Sequence, residues 1–410
     1  MFGTHRKTIF ETLGRHPIHP FPARMAPEIA LDALGESNAP LRVLDPMVGS
    51  GTVLAVARSK GHHAVGVDLD PLAVLLAGVW TRTVEADRAR EKAAQVLDRA
   101  KRSFADLSAG AAYPNDADDE TRAFIRYWFD EYSRRQLAAL SGPIGRVRHK
   151  PTRDALWCLL RLIITKQAGA SLAMDLSHSR PHRYFNRAPV KPFARFLAAV
   201  EAVVSNCPDH AKGCVGPVSV VRRGDARKLE IDSRSIDLVL TSPPYLNAID
   251  YMRCSKFSLV WMGYTVRQIR GIRGESVGAE SSLQEALAAD WVKALMKQLK
   301  LSPALSQRDH GLLARYVWAM SQVLSETSRV LRHGGRAVYV VGDCRNRSTY
   351  VRNSMIVRTL AERHGLPFVS CQSRSLPANR RYMPPPKRMA RRDKMDGRMR
   401  REVVLVFRRP

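Results

Sequence analysis

Acidic residues are scarce in this 410-residue chain: 38 Asp and Glu stand against 66 Lys and Arg, a formal charge of +28. A balance so basic implies a polyanionic partner, and binding that weakens steeply with salt as counterions are released. No apolar stretch of eighteen residues occurs, so no membrane-spanning helix is expected, and no basic amphipathic helix marks a membrane surface. The opening Met1-Phe2-Gly3-Thr4-His5-Arg6-Lys7 lacks the apolar centre of a secretion signal, and the expected location is cytoplasmic. Cys158, Cys207, Cys214, Cys254, Cys344 and Cys371 are scattered without any Cys-x-x-Cys spacing. That pattern argues against a structural zinc or a disulfide framework and suits small, reduced residues; no metal is expected. The length allows a doubly wound core of roughly 200 to 250 residues together with a second module.

What is present is a pair of strand-to-turn junctions. Leu41-Arg42-Val43-Leu44-Asp45-Pro46-Met47-Val48-Gly49-Ser50-Gly51-Thr52 reads as a short buried strand, a glycine turn and then a helix from Val53 to about Lys60. Gly49 and Gly51 let the backbone approach a ligand closely. No Gly-Lys-Ser/Thr follows, which excludes a P-loop, and Leu54 stands where a dinucleotide fingerprint has its third glycine. A second strand, His63-Ala64-Val65-Gly66-Val67-Asp68, ends in an acid seventeen residues after Gly51, where a carboxylate can accept both ribose hydroxyls of a nucleoside. Far downstream, the apolar run Ile236-Asp237-Leu238-Val239-Leu240-Thr241 stops in Ser242-Pro243-Pro244-Tyr245. Two prolines fix φ and donate no N–H, so the carbonyls around Ser242 and Pro243 are left to accept from an amino group. Tyr245 offers a flat face for stacking a base, worth about 1–3 kcal/mol in nucleic-acid sites. The four residues describe a pocket for the exocyclic amine of a nucleobase.

In this order the chain resembles the S-adenosylmethionine-dependent DNA amino-methyltransferases, which modify cytosine N4 or adenine N6. The likeness covers residues 16–80 and 218–408 and rests on Asp-Pro-x-x-Gly-Ser-Gly-Thr combined with Ser-Pro-Pro-Tyr. It implies that His19-Pro20-Phe21-Pro22-Ala23-Arg24-Met25 helps hold the methionine end of the cofactor, through Phe21, Pro22 and Arg24. Asp45-Pro46 with Gly49-Ser50-Gly51-Thr52 would form the cofactor loop, and Asp68 would be the ribose acid. Gly224-Asp225-Ala226 is similar to the element that meets the adenine ring, and Thr241 joins the cofactor-binding set. Ser242, Pro243, Pro244 and Tyr245 would be catalytic. The implied fold is α/β: a Rossmann-like seven-stranded class I methyltransferase sheet with helices on both faces and helical insertions. In this family Ser in the first position of the turn is commoner among cytosine-N4 enzymes, and Asp or Asn among adenine-N6 enzymes. Carbon-5 methyltransferases use a Pro-Cys nucleophile, and no such dipeptide occurs here.

The strand-helix alternation breaks twice. One helical stretch is expected from about Leu72 to Arg102, and residues 121–206 read mainly as helices, which makes 81–215 an insertion between the second and third strands. The alternation resumes with a strand over Val218–Val221 and breaks again over about 255–305. A helix from about Leu312 to Leu331 leads through Gly334-Gly335 into a strand at Arg336–Val341, and Glu402–Phe407 closes the sheet. The expected catalytic domain is 1–80 with 216–410, and 81–215 is the leading candidate for target recognition, with 255–305 as the alternative.

Three basic segments compete to contact double-stranded DNA. Ser177–Phe185 carries His178, Arg180, His182 and Arg183, groups that meet phosphates or base edges. Arg267, Arg270 and Arg273 recur every three residues after Trp261, a spacing that equally suits a solvated helix face. Arg380–Arg401 holds ten Lys or Arg and only two acids around Pro384-Pro385-Pro386, and with Arg380, Arg381, Lys387 and Arg388 it is the favoured phosphate clamp.

The implied reaction starts from a target cytosine rotated out of the duplex, at a cost of a few kcal/mol. Tyr245 stacks on it, while Ser242 Oγ and the Pro243 carbonyl accept the two N–H groups and aim the nitrogen lone pair at the sulfonium methyl. The gain is positioning and preorganised electrostatics. Restriction-modification or host DNA marking would be the setting, with nucleoid association and a cognate restriction endonuclease as cellular partner. Adenine-N6 methylation, guanine-N2 methylation of RNA and a non-catalytic DNA-binding module are the alternatives. The RNA enzymes usually carry Asp or Asn before the turn; a bare module predicts decay of the glycine loop or the turn, and both are intact here.

Overall fold

The computed structural model describes residues 7–21, 24–37, 39–165, 169–174, 181–208, 217, 219–246, 252–277, 289–299, 307–346, 349–375 and 401–410. Seven strands form one sheet: β1 Arg42–Asp45, β2 His63–Asp68, β3 Val220–Arg223, β4 Ile236–Thr241, β5 Leu331–Val341, β6 Phe368–Ser375 and β7 Arg401–Arg408. Across the sheet they run β6-β7-β5-β4-β1-β2-β3. The pairs from β5 to β3 are parallel, and β7 is antiparallel to both of its neighbours. Strand order reverses between β1 and β4, so the carboxyl ends of these two strands flank the crevice where sheets of this kind take their ligands. Two motifs almost two hundred residues apart therefore arrive side by side: Leu44 pairs with Val65 on one flank and with Val239 on the other.

Alternation along each central strand sends neighbours to opposite faces. Leu44, Val239, Tyr339 and Val341 pack with Phe407 beneath the helices Gln307–Val330 and Asn353–Arg363. Val43, Leu238, Leu240, Val338 and Val340 pack on the other face with Pro27–Leu34 and Thr52–Ser59. Both faces are covered, which is why β1 and β4 read as nearly continuous apolar runs, whereas the edge strand β6 is polar and exposed along much of its length.

A further core is mainly helical. It joins Pro71–Thr81 to the insertion helices Ala86–Phe104, Asp119–Trp128, Glu131–Gly145, Lys150–Thr165 and Pro192–Val204. The helix Met252–Leu259 contributes Phe257, the short 3₁₀ turn Val260–Met262 contributes Trp261, and the helix Val266–Glu275 contributes Ile269 and Ile272 to the same core. Asp290–Gln298, by contrast, packs Val292, Leu295 and Met296 into the sheet-face core. Each fully buried Leu in such a core, such as Leu72 or Leu76, contributes about 1.5–3 kcal/mol.

Three expected elements differ from the sequence reading. The single helix over 72–102 is two, Pro71–Thr81 and Ala86–Phe104. Arg58 donates to the carbonyl of Thr81 and to the Thr83 hydroxyl, which caps the first helix before it reaches Val84. The expected turn at Gly334-Gly335 lies inside β5, where Gly334 takes φ of 73° and the pairing with β4 slips between Ile236 and Leu238. Pairing with β2 sets β3 two residues later than the apolar run suggests, opposite Val65–Asp68. No helix among the described residues is long and apolar enough to cross a membrane.

Candidate active site

The site begins where β1 and β4 end. Thr241 Oγ1 donates to Asp45 Oδ1 at 2.7 Å, and the Met47 N–H reaches the same oxygen at 3.1 Å. Asp45 is 3% exposed. Burial pushes its carboxyl up to about 7; the bonds from Thr241 and Met47 pull the other way, and the Asp68 charge adds to the rise. One hydroxyl thus ties the strand that carries the double-proline turn to the strand that carries the glycine loop.

The loop is shaped by what surrounds it. Asp68, at the tip of β2, accepts the Gly49 N–H on Oδ2 and the Asp70 N–H on Oδ1, both at 2.9 Å. Burial first, then the neighbouring Asp70, raise its carboxyl to about 7. Gly51, with φ of 84°, opens the helix Thr52–Ser59, and a Cβ there would lie 2.9 Å from Ala77 Cβ. A Cβ on Gly49 would press on Phe21 at 3.3 Å, which places the Phe21 ring against the loop. The Ser50 and Thr52 hydroxyls meet at 3.1 Å, and Pro46 lies in the turn before the loop. Arg24 donates to the carbonyl of His19, so its guanidinium braces the segment that carries Phe21. His19 is buried, and burial followed by the Arg24 charge holds its ring well below the ordinary histidine range, in the neutral form.

Beyond the loop, the Gly224 N–H donates to the Asp68 carbonyl at 3.0 Å, which brings Asp225 to the same crevice. Asp225 itself is engaged by Arg227, whose Nη2 reaches Oδ2 at 2.7 Å and also the Glu275 carbonyl at 2.7 Å. At the end of β4, Ser242 Oγ and Tyr245 OH lie 3.3 Å apart, and Pro243 is buried while Pro244 is half-buried. Tyr245 is half-buried against the sheet-face core, so part of the ring expected to face a base is covered by the protein.

Asp70, Ser255 and Arg161 join this site without belonging to any motif. Asp70 caps the helix Pro71–Thr81 through the Leu72 N–H at 2.8 Å, and its Oδ2 accepts the Ser255 hydroxyl at 2.6 Å. Arg161, 1% exposed, sets Nη1 3.3 Å from Ser258 Oγ. Burial lowers its guanidinium to about 10, opposed by nearby Cys254 and Asp70. Burial also raises Asp70, against the bonds from Ser255 and Leu72 and the charge of Arg161. A sequence signal for Arg161 exists: an arginine inside Leu159-Leu160-Arg161-Leu162-Ile163-Ile164 interrupts an otherwise apolar run.

Of the expected DNA contacts, His182 and Arg183 are exposed in a two-stranded ribbon with Ala173–Met174, and Arg183 lies 5.3 Å over the Tyr127 ring. Pro22, His178, Arg180, Arg380, Arg381, Lys387 and Arg388 lie outside the described residues. Among the described residues, no group of three or more His, Cys, Asp or Glu is placed to hold a metal ion.

No family model matches the chain. It is 22% identical over 360 residues to the type II methyltransferase M.AvaI of Nostoc sp. strain PCC 7120, an alignment covering 79% of this chain and 73% of that protein. The same figures hold for M.AvaI of Anabaena variabilis. Among solved structures, a SAM-dependent methyltransferase of Methanosarcina mazei aligns over 90% of this chain and 92% of its own, with 8% identity and a TM-score of 0.33. A TehB-like SAM-dependent methyltransferase of Corynebacterium glutamicum covers 93% and 86%, with 10% identity and a TM-score of 0.30. By its own strand order, a mixed seven-stranded sheet with helices on both faces, the chain has the α/β fold of class I methyltransferases.

Proposed function

We propose that this chain transfers a methyl group from S-adenosylmethionine to the exocyclic N4 amine of a flipped cytosine in double-stranded DNA. The observation that carries the reading is the 2.7 Å bond from Thr241 to Asp45, because it holds the glycine loop and the double-proline turn at one crevice. The curated relatives that bear the name type II methyltransferase, matched over 79% of the chain, support it. The excess of 28 positive charges suits a nucleic-acid substrate.

The residues present fit the cofactor. Gly49 and Gly51 have no Cβ to fill the space against Phe21 and Ala77, and Asp68 stands at the tip of the neighbouring strand. When bound, S-adenosylmethionine would supply an electrophilic sulfonium methyl. Asp68 would accept from the ribose hydroxyls on lone pairs not used by Gly49 and Asp70, since a carboxylate offers about four such sites. Asp45, fixed by Thr241, and the Arg24-braced Phe21 would line the methionine end; Asp225 would border the adenine. Ser242 Oγ and the Pro243 carbonyl would accept the two amine N–H groups and turn the nitrogen lone pair out of conjugation with the ring. Tyr245, whose hydroxyl is 3.3 Å from Ser242 Oγ, would present its open edge and face to the base. The matching cellular role is host DNA marking, alone or beside a cognate restriction endonuclease.

The test is to incubate the purified chain with methyl-labelled S-adenosylmethionine and, separately, DNA or RNA, then digest to nucleosides. Label in N4-methylcytosine is the expected result. Label in N6-methyladenine would overturn the choice of base, label in RNA guanine the choice of substrate, and binding without transfer the assignment as an enzyme.

A further inference from the structure

A cleft of about 450 Å³ opens where the ribbon at His182–Arg183 approaches the helices Met252–Leu259 and Val266–Glu275. Its wall carries four fixed cations, Arg253, Lys256, Arg270 and Arg273, with His182 facing them from the ribbon. Trp128, Met252 and Ile269 form an apolar part of the lining. Four cationic side chains lining one concave, partly apolar surface are an arrangement suited to a polyanion. Lys256 Nζ lies 5.0 Å over the Phe124 ring and 5.8 Å from that of Phe257, contacts that orient the ammonium. Arg270 also meets Glu120, but both side chains are exposed, and exposed pairs of this kind are weak and yield to a competing anion.

The cleft is bolted to the active site by one helix with two working faces. On its inner side, Ser255 donates to Asp70, two residues from Asp68, and Ser258 meets the buried Arg161. On its outer side, Arg253 and Lys256 face the cleft. A strand held by the outer face is therefore held at a set distance from the crevice at β1 and β4. Exposed aromatic rings stand nearby: Tyr127, 52% exposed, carries Arg183 over its face, and Tyr184 is 67% exposed.

We infer that this cleft grips the phosphodiester backbone of the DNA duplex beside the target base, an inference that rests on the DNA-methyltransferase reading above. Both helical insertions then share in seizing DNA, because the ribbon and Trp128 come from the first, Lys256, Arg270 and Arg273 from the second, and Arg253 from the residues just before it. Arg270 and Arg273 are contacts in this arrangement, not a merely solvated face.

The experiment uses a fluorescein-labelled DNA duplex of about 30 base pairs, long enough for the roughly 6–10 phosphate contacts of a typical site. Anisotropy is followed over a KCl series for the full chain, the variant R253A/R273A and the control R99A/K101A, which removes the same charge from the exposed side of Ala86–Phe104. Each lost phosphate contact flattens the log–log salt slope by about 0.9, so R253A/R273A should be shallower by about 1.8 and bind about tenfold or more weakly at intermediate salt. The control should match the unaltered chain. S-adenosylhomocysteine affinity, measured by calorimetry, should be the same in all three and reports that each is folded. An unchanged slope in R253A/R273A, or an equal loss in the control, overturns the cleft while leaving the DNA reading intact, provided the unaltered chain methylates the duplex. If the unaltered chain neither binds nor methylates duplex DNA yet binds S-adenosylhomocysteine, the proposed function itself fails and the cleft assignment falls with it.

Discussion

Asp68→Asn separates the carboxylate from the shape of the loop. In the unaltered chain the half-buried carboxylate accepts two backbone N–H groups at 2.9 Å and lies close to Asp70 and Asp45. The amide keeps the volume but turns one acceptor into a donor that faces an N–H. Losing charge-assisted bonds to the ribose hydroxyls costs about 1.5–3 kcal/mol each; offset in part by relief of like-charge repulsion, a net loss of about 2 kcal/mol is expected, about 30-fold in Kd for S-adenosylhomocysteine. The pH dependence has a defined sign. Asp45 and Asp68 both have folded values raised to about 7 from an ordinary 3.8, so the folded chain favours their protonated forms. Their contribution to stability is full below about pH 4 and is lost as pH rises through about 7. Ligand binding has the opposite dependence, because ribose hydroxyls need an ionised acceptor: affinity should rise from pH 6 to pH 8, and the Tm increment from ligand should rise with it. In D68N that pH dependence should shrink, leaving the share due to Asp45. Calorimetry at several pH values checks both parts. Affinity within threefold of the unaltered chain, with the pH dependence unchanged, would refute the assignment of Asp68.

Three further outcomes follow from the same geometry. Gly66→Ala sets a Cβ 2.7 Å from Val48 Cγ2 and 2.8 Å from Leu54 Cδ2 within the central sheet; overpacking of this kind costs about 1–3 kcal/mol, so the denaturant midpoint should fall, and an unchanged midpoint would show that the loop relaxes freely. Tyr245→Phe removes only the hydroxyl beside Ser242 and should lower kcat mildly, whereas Tyr245→Ala should abolish most turnover with S-adenosylhomocysteine affinity retained; equal loss of turnover and cofactor binding in the alanine variant would contradict a base-stacking role. Ser255→Ala removes a 2.6 Å bond to the buried Asp70 and should destabilise by about 1–3 kcal/mol in chemical denaturation, with weaker duplex binding as the helix bearing Arg253 loosens; a stability loss with unchanged DNA affinity would break the proposed link between crevice and cleft.

Local chemistry made much of the sheet and its two turns legible. A glycine turn after a buried strand, an acid at the end of the next strand and two prolines closing a third are constraints that each segment carries by itself, through φ, N–H donors and side-chain volume. Strands buried on both faces announce themselves as apolar runs, and β1, β2 and β4 lie where those runs are. The misplaced elements failed for non-local reasons. Arg58 ends the helix at Thr81 from another part of the chain, β4 accommodates Gly334 and Gly335 as a slip in pairing, and β2 sets where β3 begins.

The sequence by itself determined the α/β class, the glycine loop after the first strand, the double-proline turn and the large excess of positive charge, because each follows from composition or from a few consecutive residues. Only the tertiary structure decided that Thr241 bonds Asp45, that Ser255 reaches Asp70 beneath a buried Arg161, and that Arg253, Lys256, Arg270 and Arg273 converge with His182 on one cleft. Those contacts join positions that lie far apart along the chain, and their partners are chosen by the reversal of strand order at β1 and β4 and by the shared helical core, neither of which any single segment encodes.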